Sequence, residues 1–377
     1  MNTELSCFAK RVRELITSPT AEFDPCQFSD LAVKLFSLQF QANLAYRKIC
    51  EGRSLNPAAV KKFAQIPFVP TAAFKELELT SLAPTERTTV FYSSGTTEQV
   101  PSRHFHNQES RALYETSLWS WFSQNLFSAS GLEMVNYELI LLAPAPALAP
   151  HSSLVHMFEI IRQKLSSPSA AFVGRIGTDG SWTLDLTATL AALENQTKPA
   201  GHKPRLILGT AFSFVHLLDF MTSNNLWIRL PAGSRVMETG GYKNRSRTMP
   251  KADLHALIAD RLGIAGENIQ CEYGMSELSS QAYDRGSGIT TRQFRFAPWA
   301  RVQIISPENG EEVAADETGL IRVFDLANVF SVAAIQTEDL GIRRGEGFEL
   351  VGRAHLAEAR GCSLLAAPTL KHYANEP

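Results

Sequence analysis

The chain has 377 residues, with 36 Lys+Arg against 38 Asp+Glu and a formal net charge of −2. That balance excludes a nucleic-acid binder resting on bulk positive charge. With 44% hydrophobic and 20% charged residues, intrinsic disorder is excluded as the main state. At about 150 residues per domain the length suggests roughly two and a half domains.

The first 85 residues read as helical, with Phe28, Leu31, Leu35, Leu38 and Leu44 near helical spacing. Asn56-Pro57 has the form of an N-cap followed by proline at the first helical position. Pro67, Pro70 and Pro84 then break the chain into turns. From Thr88 onward, short apolar runs alternate with helical stretches. TTVFY (88–92) reads as a strand, and Asn107 caps a helix to about Asn125. YELILLA (137–143) is a buried strand, followed by a helix from about Ser152 to Lys164. AAFV (170–173) is a strand, and Asp185 opens a helix. RLILG (205–209) precedes a helix over 211–222, and RVMETGG (235–241) is a strand plus turn. Pro250 starts a helix ending at Gly263, and NIQCEYG (268–274) is again a strand plus turn. This alternation predicts a mostly parallel sheet covered by helices. Past residue 295, RVQIIS (301–306), GLIRVFD (319–325), FSVAAIQ (330–336) and FELVG (348–352) read as strands of a small antiparallel sheet.

No run approaches the ~20 apolar residues of a membrane-spanning helix. The longest apolar stretch, 139–150, carries Pro144, Pro146 and Pro150. The start MNTELSCFAKRVREL contains acids and lacks the apolar region of a signal peptide. Cys7, Cys26, Cys50, Cys271 and Cys362 are odd in number and far apart, which predicts a reduced cytoplasmic protein with neither a disulfide framework nor a zinc site. Cys7, Cys26 and Cys50 are expected to be buried structural thiols, and Cys271 to lie on the inner face of a strand. There is no P-loop, GxGxxG, HExxH or GxSxG. His104 and His106, two apart on a strand, read as ordinary histidines.

Four segments carry chemistry. YSSGTTEQVPSR (92–103) sets four hydroxyls beside a glycine directly after a strand, a loop able to aim donors at an anion, with Arg103 adding positive charge. A plain polar turn between strands is an equal reading. CEYGMSEL (271–278) offers Tyr273 to stack on a flat heterocycle, Ser276 to donate to a phosphate and Glu277 to hold Mg2+. A helix start capped by Ser276 competes. In TEDLG (337–341), Asp339 at a strand end can accept the hydroxyls of a ribose, or be a solvated turn acid. In METGGYKNR (237–245), two glycines allow close approach of a ring, or form an ordinary turn.

Taken in chain order, with VGR (351–353) after them, these segments resemble the adenylate-forming superfamily over roughly residues 85 to 355. The resemblance implies ATP-dependent joining of a carboxylic acid to AMP. It assigns Ser93, Ser94, Gly95, Thr96 and Thr97 to the leaving pyrophosphate. Gly240, Gly241 and Tyr273 border adenine, Gly274 belongs to the same nucleotide site, and Ser276 touches the α-phosphate. Glu277 holds Mg2+, and Asp339 with Arg353 falls to the ribose and hinge region. IPFVPTAAFK (66–75), the serine and arginine at 102 and 103, METGGYKNR and GRAHLAEARGCSLL (352–365) narrow the likeness to LuxE-type acyl-protein synthetases. These are the fatty-acid-activating subunits of the bacterial fatty acid reductase that makes aldehyde for luciferase.

That narrower resemblance covers nearly the whole chain. It implies an α/β fold with an adenylate-forming-enzyme-like N-terminal domain of mostly parallel sheets, a small antiparallel β subdomain and a shortened C-terminal tail. The expected divisions are a helical segment over 1–85, an adenylation core over 86–295, the β subdomain over 296–352 and the tail over 353–377. The tail carries Cys362 as the acyl acceptor, with Arg360 lowering its pKa and Gly361 allowing approach. Twenty-four residues follow Arg353, fewer than the superfamily's usual lid, and Lys371 does not match its catalytic lysine. Implied partners are a fatty acid and a reductase subunit that takes the acyl group. Two other readings stand beside this one: a CoA ligase of the phenylacetate-CoA ligase type, and a non-catalytic nucleotide-binding subunit.

Overall fold

The computed structural model describes residues 2–18, 23–93, 100–127, 137–167, 170–194, 203–240, 249–285 and 292–354. Three helices open it: α1 (Thr3–Thr17), α2 (Pro25–Ala42) and α3 (Leu44–Gly52). Asn2 and Asp24 cap the first two through their side-chain oxygens, and Pro25 occupies the first turn of α2. Leu5, Phe8, Ala9, Val12 and Ile16 form one buried stripe on α1. Cys7 lies off that stripe and is exposed, as is Cys26 in the first turn of α2, so the expectation of buried thiols holds for Cys50 and fails for these two. Asn56 does cap, accepting from Ala58 N at 2.9 Å and Ala59 N at 3.0 Å. Only a turn follows, however, because the chain extends toward Pro67 and Pro70 within one further 3-10 turn.

The remaining elements are β1 (Val69–Pro70), α4 (Ala73–Glu76), β2 (Thr89–Tyr92), β3 (Arg103–His106), α5 (Gln108–Leu126), β4 (Glu138–Leu142) and α6 (Ser153–Lys164). Then come β5 (Ala171–Phe172), β6 (Gly174–Ile176), β7 (Trp182–Leu184), α7 (Leu186–Glu194), β8 (Arg205–Thr210) and α8 (Ala211–Ser223). They are followed by β9 (Arg235–Thr239), α9 (Lys251–Leu262), β10 (Ile269–Tyr273), β11 (Ala282–Arg285) and β12 (Gln293–Phe296). The last four strands are β13 (Ala300–Ile305), β14 (Thr318–Asp325), β15 (Ala334–Arg344) and β16 (Gly347–Arg353).

Among the described residues, twelve strands join in one sheet, in the order β13-β14-β15-β16-β12-β11-β10-β9-β8-β4-β5, with β1 added to β15. β5, β4, β8, β9 and β10 run parallel. Both faces of this half are covered, which is why its strands read as unbroken apolar runs. Leu139, Leu141, Leu206, Leu208 and Met237 enter one core, and Ile140, Leu142, Ile207, Val236 and Ile269 enter the other.

The antiparallel strands expected past residue 295 are present. They meet the parallel half through the β11–β12 pair, which the sequence reading omitted. Phe28 fixes α2 to this side, edge-on to Phe63 at 5.6 Å and Phe324 at 5.9 Å, under the Arg301 guanidinium at 4.2 Å. Among the described residues, no helix is long and apolar enough to cross a membrane.

Candidate active site

The carboxyl ends of β9 and β10, the neck of the β2–β3 hairpin and the β15–β16 pair carry the described candidate residues. Ligands of open α/β sheets collect at such strand ends. Ser93 closes the hairpin neck. Its N–H donates to the Ser102 carbonyl at 3.1 Å, and its Oγ accepts from Ser102 N at 2.9 Å. Ser94, Gly95, Thr96 and Thr97 lie outside the described residues, as does Gly241.

Along β3 the side chains alternate. Ser102, His104 and His106 are buried, while Arg103 and Phe105 take the other face. Arg103 is therefore paired with Glu78 at 3.6 Å, a carboxylate it shares with Arg87 at 2.7 Å.

Ser102 was no sequence candidate, yet its Oγ donates to Glu277 Oε1. Ser276 Oγ donates to the other oxygen at 3.1 Å. Glu277 is 6% exposed, so two hydroxyls and a carboxylate, all hard oxygen donors, face one another at the edge of the core. No group of three or more metal-ligating side chains occurs among the described residues. A single carboxylate with hydroxyl neighbours suits Mg2+, which takes one or two carboxylates and completes its shell with phosphate oxygens and water.

No helix follows Tyr273: residues 274–281 run without a regular element, and a helix capped by Ser276 does not form. Burial pushes His104 down to about 4, so its ring is neutral near pH 7. The Ser276 carbonyl only accepts, so His104 Nδ1 donates to it, at 2.7 Å. Asp325 is pushed up to about 6 by burial, against donors from Ser280 and the backbone.

Tyr273, Asp339 and Arg353, which the resemblance assigns to nucleotide, come together. Tyr273 Oη donates to Asp339 Oδ2 at 2.9 Å, and Arg353 Nε lies 3.6 Å from Oδ1. Asp339 sits inside β15 opposite Arg353 of β16, not in a turn. A register shift beside it, between Leu340 and Gly341, disturbs the ladder there. Burial raises the Asp339 carboxyl, and the Tyr273 hydrogen bond opposes that rise. The Tyr273 ring meets Phe348 edge-on at 5.4 Å, with Phe294 and Phe296 beside it.

Gly240 directly follows β9 with φ 70°, a left-handed conformation that favours glycine. At Gly274 a Cβ would collide with the Glu272 carboxylate. Beneath Gly240 lies a buried charge cluster that the sequence reading missed. Lys251 Nζ is 2.6 Å from both oxygens of Glu238, 3.2 Å from Cys271 Sγ and 3.4 Å from the Gly240 carbonyl. His255 Nε2 donates to Glu238 at 3.0 Å. Burial alone would raise Glu238, but Lys251 and His255 hold it at about 2.

On the opposite face Glu272 accepts from the Thr239 hydroxyl and is pushed up to about 7 by burial. Cys271 lies buried on β10, as expected, and burial raises its thiol well above the ordinary value. Cys50 is likewise pushed up to about 11 by burial. Neither buried thiol is a ready nucleophile near neutrality. Cys362, Arg360, Gly361 and Lys371 lie outside the described residues.

A family model described as acyl-protein synthetase, LuxE, matches residues 27–370. A long-chain-fatty-acid–luciferin-component ligase of Aliivibrio fischeri is 24% identical over 365 residues, covering 90% of this chain and 88% of that protein. Its Vibrio harveyi counterpart is 22% identical over 352 residues, covering 89% and 86%. Among solved structures, 2-hydroxyisobutyryl-CoA ligase in the postadenylation state, in complex with R3-HIB-AMP, superposes with a TM-score of 0.63 at 14% identity. That alignment covers 89% of this chain and 69% of the other, and it shows a shared fold.

Proposed function

This chain belongs to the acyl-protein synthetase LuxE family, and we propose that it activates a long-chain fatty acid with ATP and then carries the acyl group on Cys362. The observation that carries this reading is the convergence at one sheet end of the Tyr273–Asp339–Arg353 cluster and the Ser102–Ser276–Glu277 cluster. The first suits a ribose, through a carboxylate that keeps lone pairs for hydroxyl donors. The second suits phosphate oxygens and a hard cation.

In the first step a carboxylate oxygen of the acid attacks the α-phosphorus of ATP. A new P–O bond forms, the bond to pyrophosphate breaks, and acyl-AMP results. Two anions meet in this step, so preorganised positive charge and donors carry much of the rate. Mg2+ held at Glu277 would supply charge neutralisation. Ser276 would donate to the α-phosphate, Asp339 would fix the ribose, and Gly240 with Tyr273 would border adenine. Ser93 and the hydroxyl loop beyond it would receive pyrophosphate.

In the second step the Cys362 thiolate attacks the acyl carbonyl. A C–S bond forms, the C–O bond to AMP breaks, and AMP leaves. An ordinary cysteine, pKa ~8.5, is a few per cent thiolate at neutral pH, so the rate should climb toward that pKa unless Arg360 lowers it. A reductase subunit would then take the acyl group from the thioester. The aldehyde chemistry of light production is one destination for it.

Two assays test this reading. Fatty-acid-dependent exchange of pyrophosphate into ATP, run over a panel of acids, is expected, with long-chain acids preferred. Absence of exchange with every acid would favour a non-catalytic nucleotide-binding subunit. With labelled fatty acid and ATP, a hydroxylamine-sensitive acyl-enzyme should form in the wild type and not in Cys362→Ser. Acyl-CoA formation that survives Cys362→Ser would favour a CoA ligase instead.

A further inference from the structure

The segment that carries Ser276 and Glu277 has no ladder or helix to hold it. Buried side chains bind its backbone instead. His104 Nδ1 donates to the Ser276 carbonyl at 2.7 Å. Asn328 Nδ2 donates to the Glu277 carbonyl at 2.9 Å and to the Val332 carbonyl at 2.8 Å. Asn328 Oδ1 accepts from Ser279 Oγ at 3.1 Å. Asp325, three residues earlier, accepts from Ser279 N at 2.8 Å and from Ser280 Oγ at 2.7 Å.

Asn328 is 1% exposed, and both of its donors and its oxygen are engaged. Its loop is tied in turn to α2. Gln39 Nε2 donates to the Asn328 carbonyl at 2.8 Å, and Gln39 Oε1 accepts from Ala333 N at 3.1 Å. Glu277 is thus bonded through its carbonyl to Asn328, an amide held from three sides, while among the described residues its carboxylate accepts from the Ser102 and Ser276 hydroxyls, which a ligand can displace.

We propose that Asn328 is a positioning residue that aims the Glu277 carboxylate at the cation accompanying ATP. The proposal rests on the reading of Glu277 given above. Loss of the amide leaves the Glu277 and Val332 carbonyls without their donor, and the segment relaxes. Glu277 then reaches the cation only part of the time, so cation affinity falls while the protein stays folded.

The probe is Mn2+ titrated against the full-length protein with and without ATP, read by water-proton relaxation. Asn328→Ala is compared with wild type and with Tyr46→Phe. That control removes a similarly buried hydrogen bond, Tyr46 Oη to the Pro67 carbonyl at 3.0 Å, on another part of the fold. Asn328→Ala should weaken ATP-dependent Mn2+ binding about tenfold and raise the Mg2+ needed for half-maximal pyrophosphate exchange by a similar factor. Tyr46→Phe should lower Tm and leave both unchanged. Asn328→Ser, too short to reach the Glu277 carbonyl, should shift both as Asn328→Ala does and serves if Asn328→Ala fails to fold. Folded variants at position 328 that bind Mn2+ as wild type does would overturn this proposal alone. A wild-type protein without ATP-dependent Mn2+ binding would overturn the reading of Glu277 and this proposal with it.

Discussion

Replacing Glu272 with glutamine should make the protein more stable in alkali than in acid, relative to wild type. Glu272 is fully enclosed at the end of β10, with the Thr239 hydroxyl as its partner. Burial and then the nearby Glu238 charge push its carboxyl up to about 7 from an ordinary 4.5, with Thr239 and Lys251 pulling the other way. Between those two values the folded chain holds a proton that the unfolded chain has released. Stability therefore falls as pH rises through that window. A gap of about 2.5 units corresponds to ~3 kcal/mol. Glutamine keeps the shape and a hydrogen bond to Thr239 and cannot ionise, so Glu272→Gln should lose this slope. Denaturant unfolding of both proteins at about pH 4.5, 6 and 8 measures the difference, in which the shared titrations cancel. The variant should gain ~3 kcal/mol on wild type from the lowest to the highest pH. A difference that stays constant across the range would refute the buried-acid account of this strand end.

Tyr273→Phe keeps the ring packing on Phe348 and removes the donor to Asp339, so KM for ATP should rise about tenfold, for ~1–2 kcal/mol of lost orientation, while Tm falls only a few degrees. An unchanged KM would separate Asp339 from the nucleotide. Lys251→Met strips Glu238 of its half-buried cation and should cost about 3 kcal/mol in denaturant unfolding. Wild-type Glu238, held at about 2, contributes stability that is present above its ordinary 4.5 and lost as pH falls toward 2. That part of the acid-unfolding curve should flatten in the variant. Phe28→Ala empties the joint between α2 and the antiparallel strands and should cost ~3–5 kcal/mol, seen as a shifted urea midpoint at unchanged slope.

Helix starts were legible where a cap and an apolar stripe coincided. Asn107 caps α5 as expected, and α9, marked by proline rather than by a capping side chain, runs from just after Pro250 to a left-handed Gly263. At Asn56 the cap formed without the stripe, and only a turn resulted. QAYDR and QFRF (293–296) carried too few alternating residues to be read as strands, yet β11 and β12 join the two halves of the sheet. TEDLG looked like a turn because its polar residues mask a strand whose neighbours on both sides supply its hydrogen bonds.

Local pattern by itself determined most of the alternation of strands and helices and carried the resemblance to the family. It did so because caps, apolar periods and short motifs are properties of neighbouring residues. Tertiary structure decided which side chains meet. Asn328 lies 51 residues from the carbonyl it holds, and Ser102 lies 175 from Glu277. Only the folded sheet brings such residues within hydrogen-bonding reach, where burial makes an unpaired polar group costly.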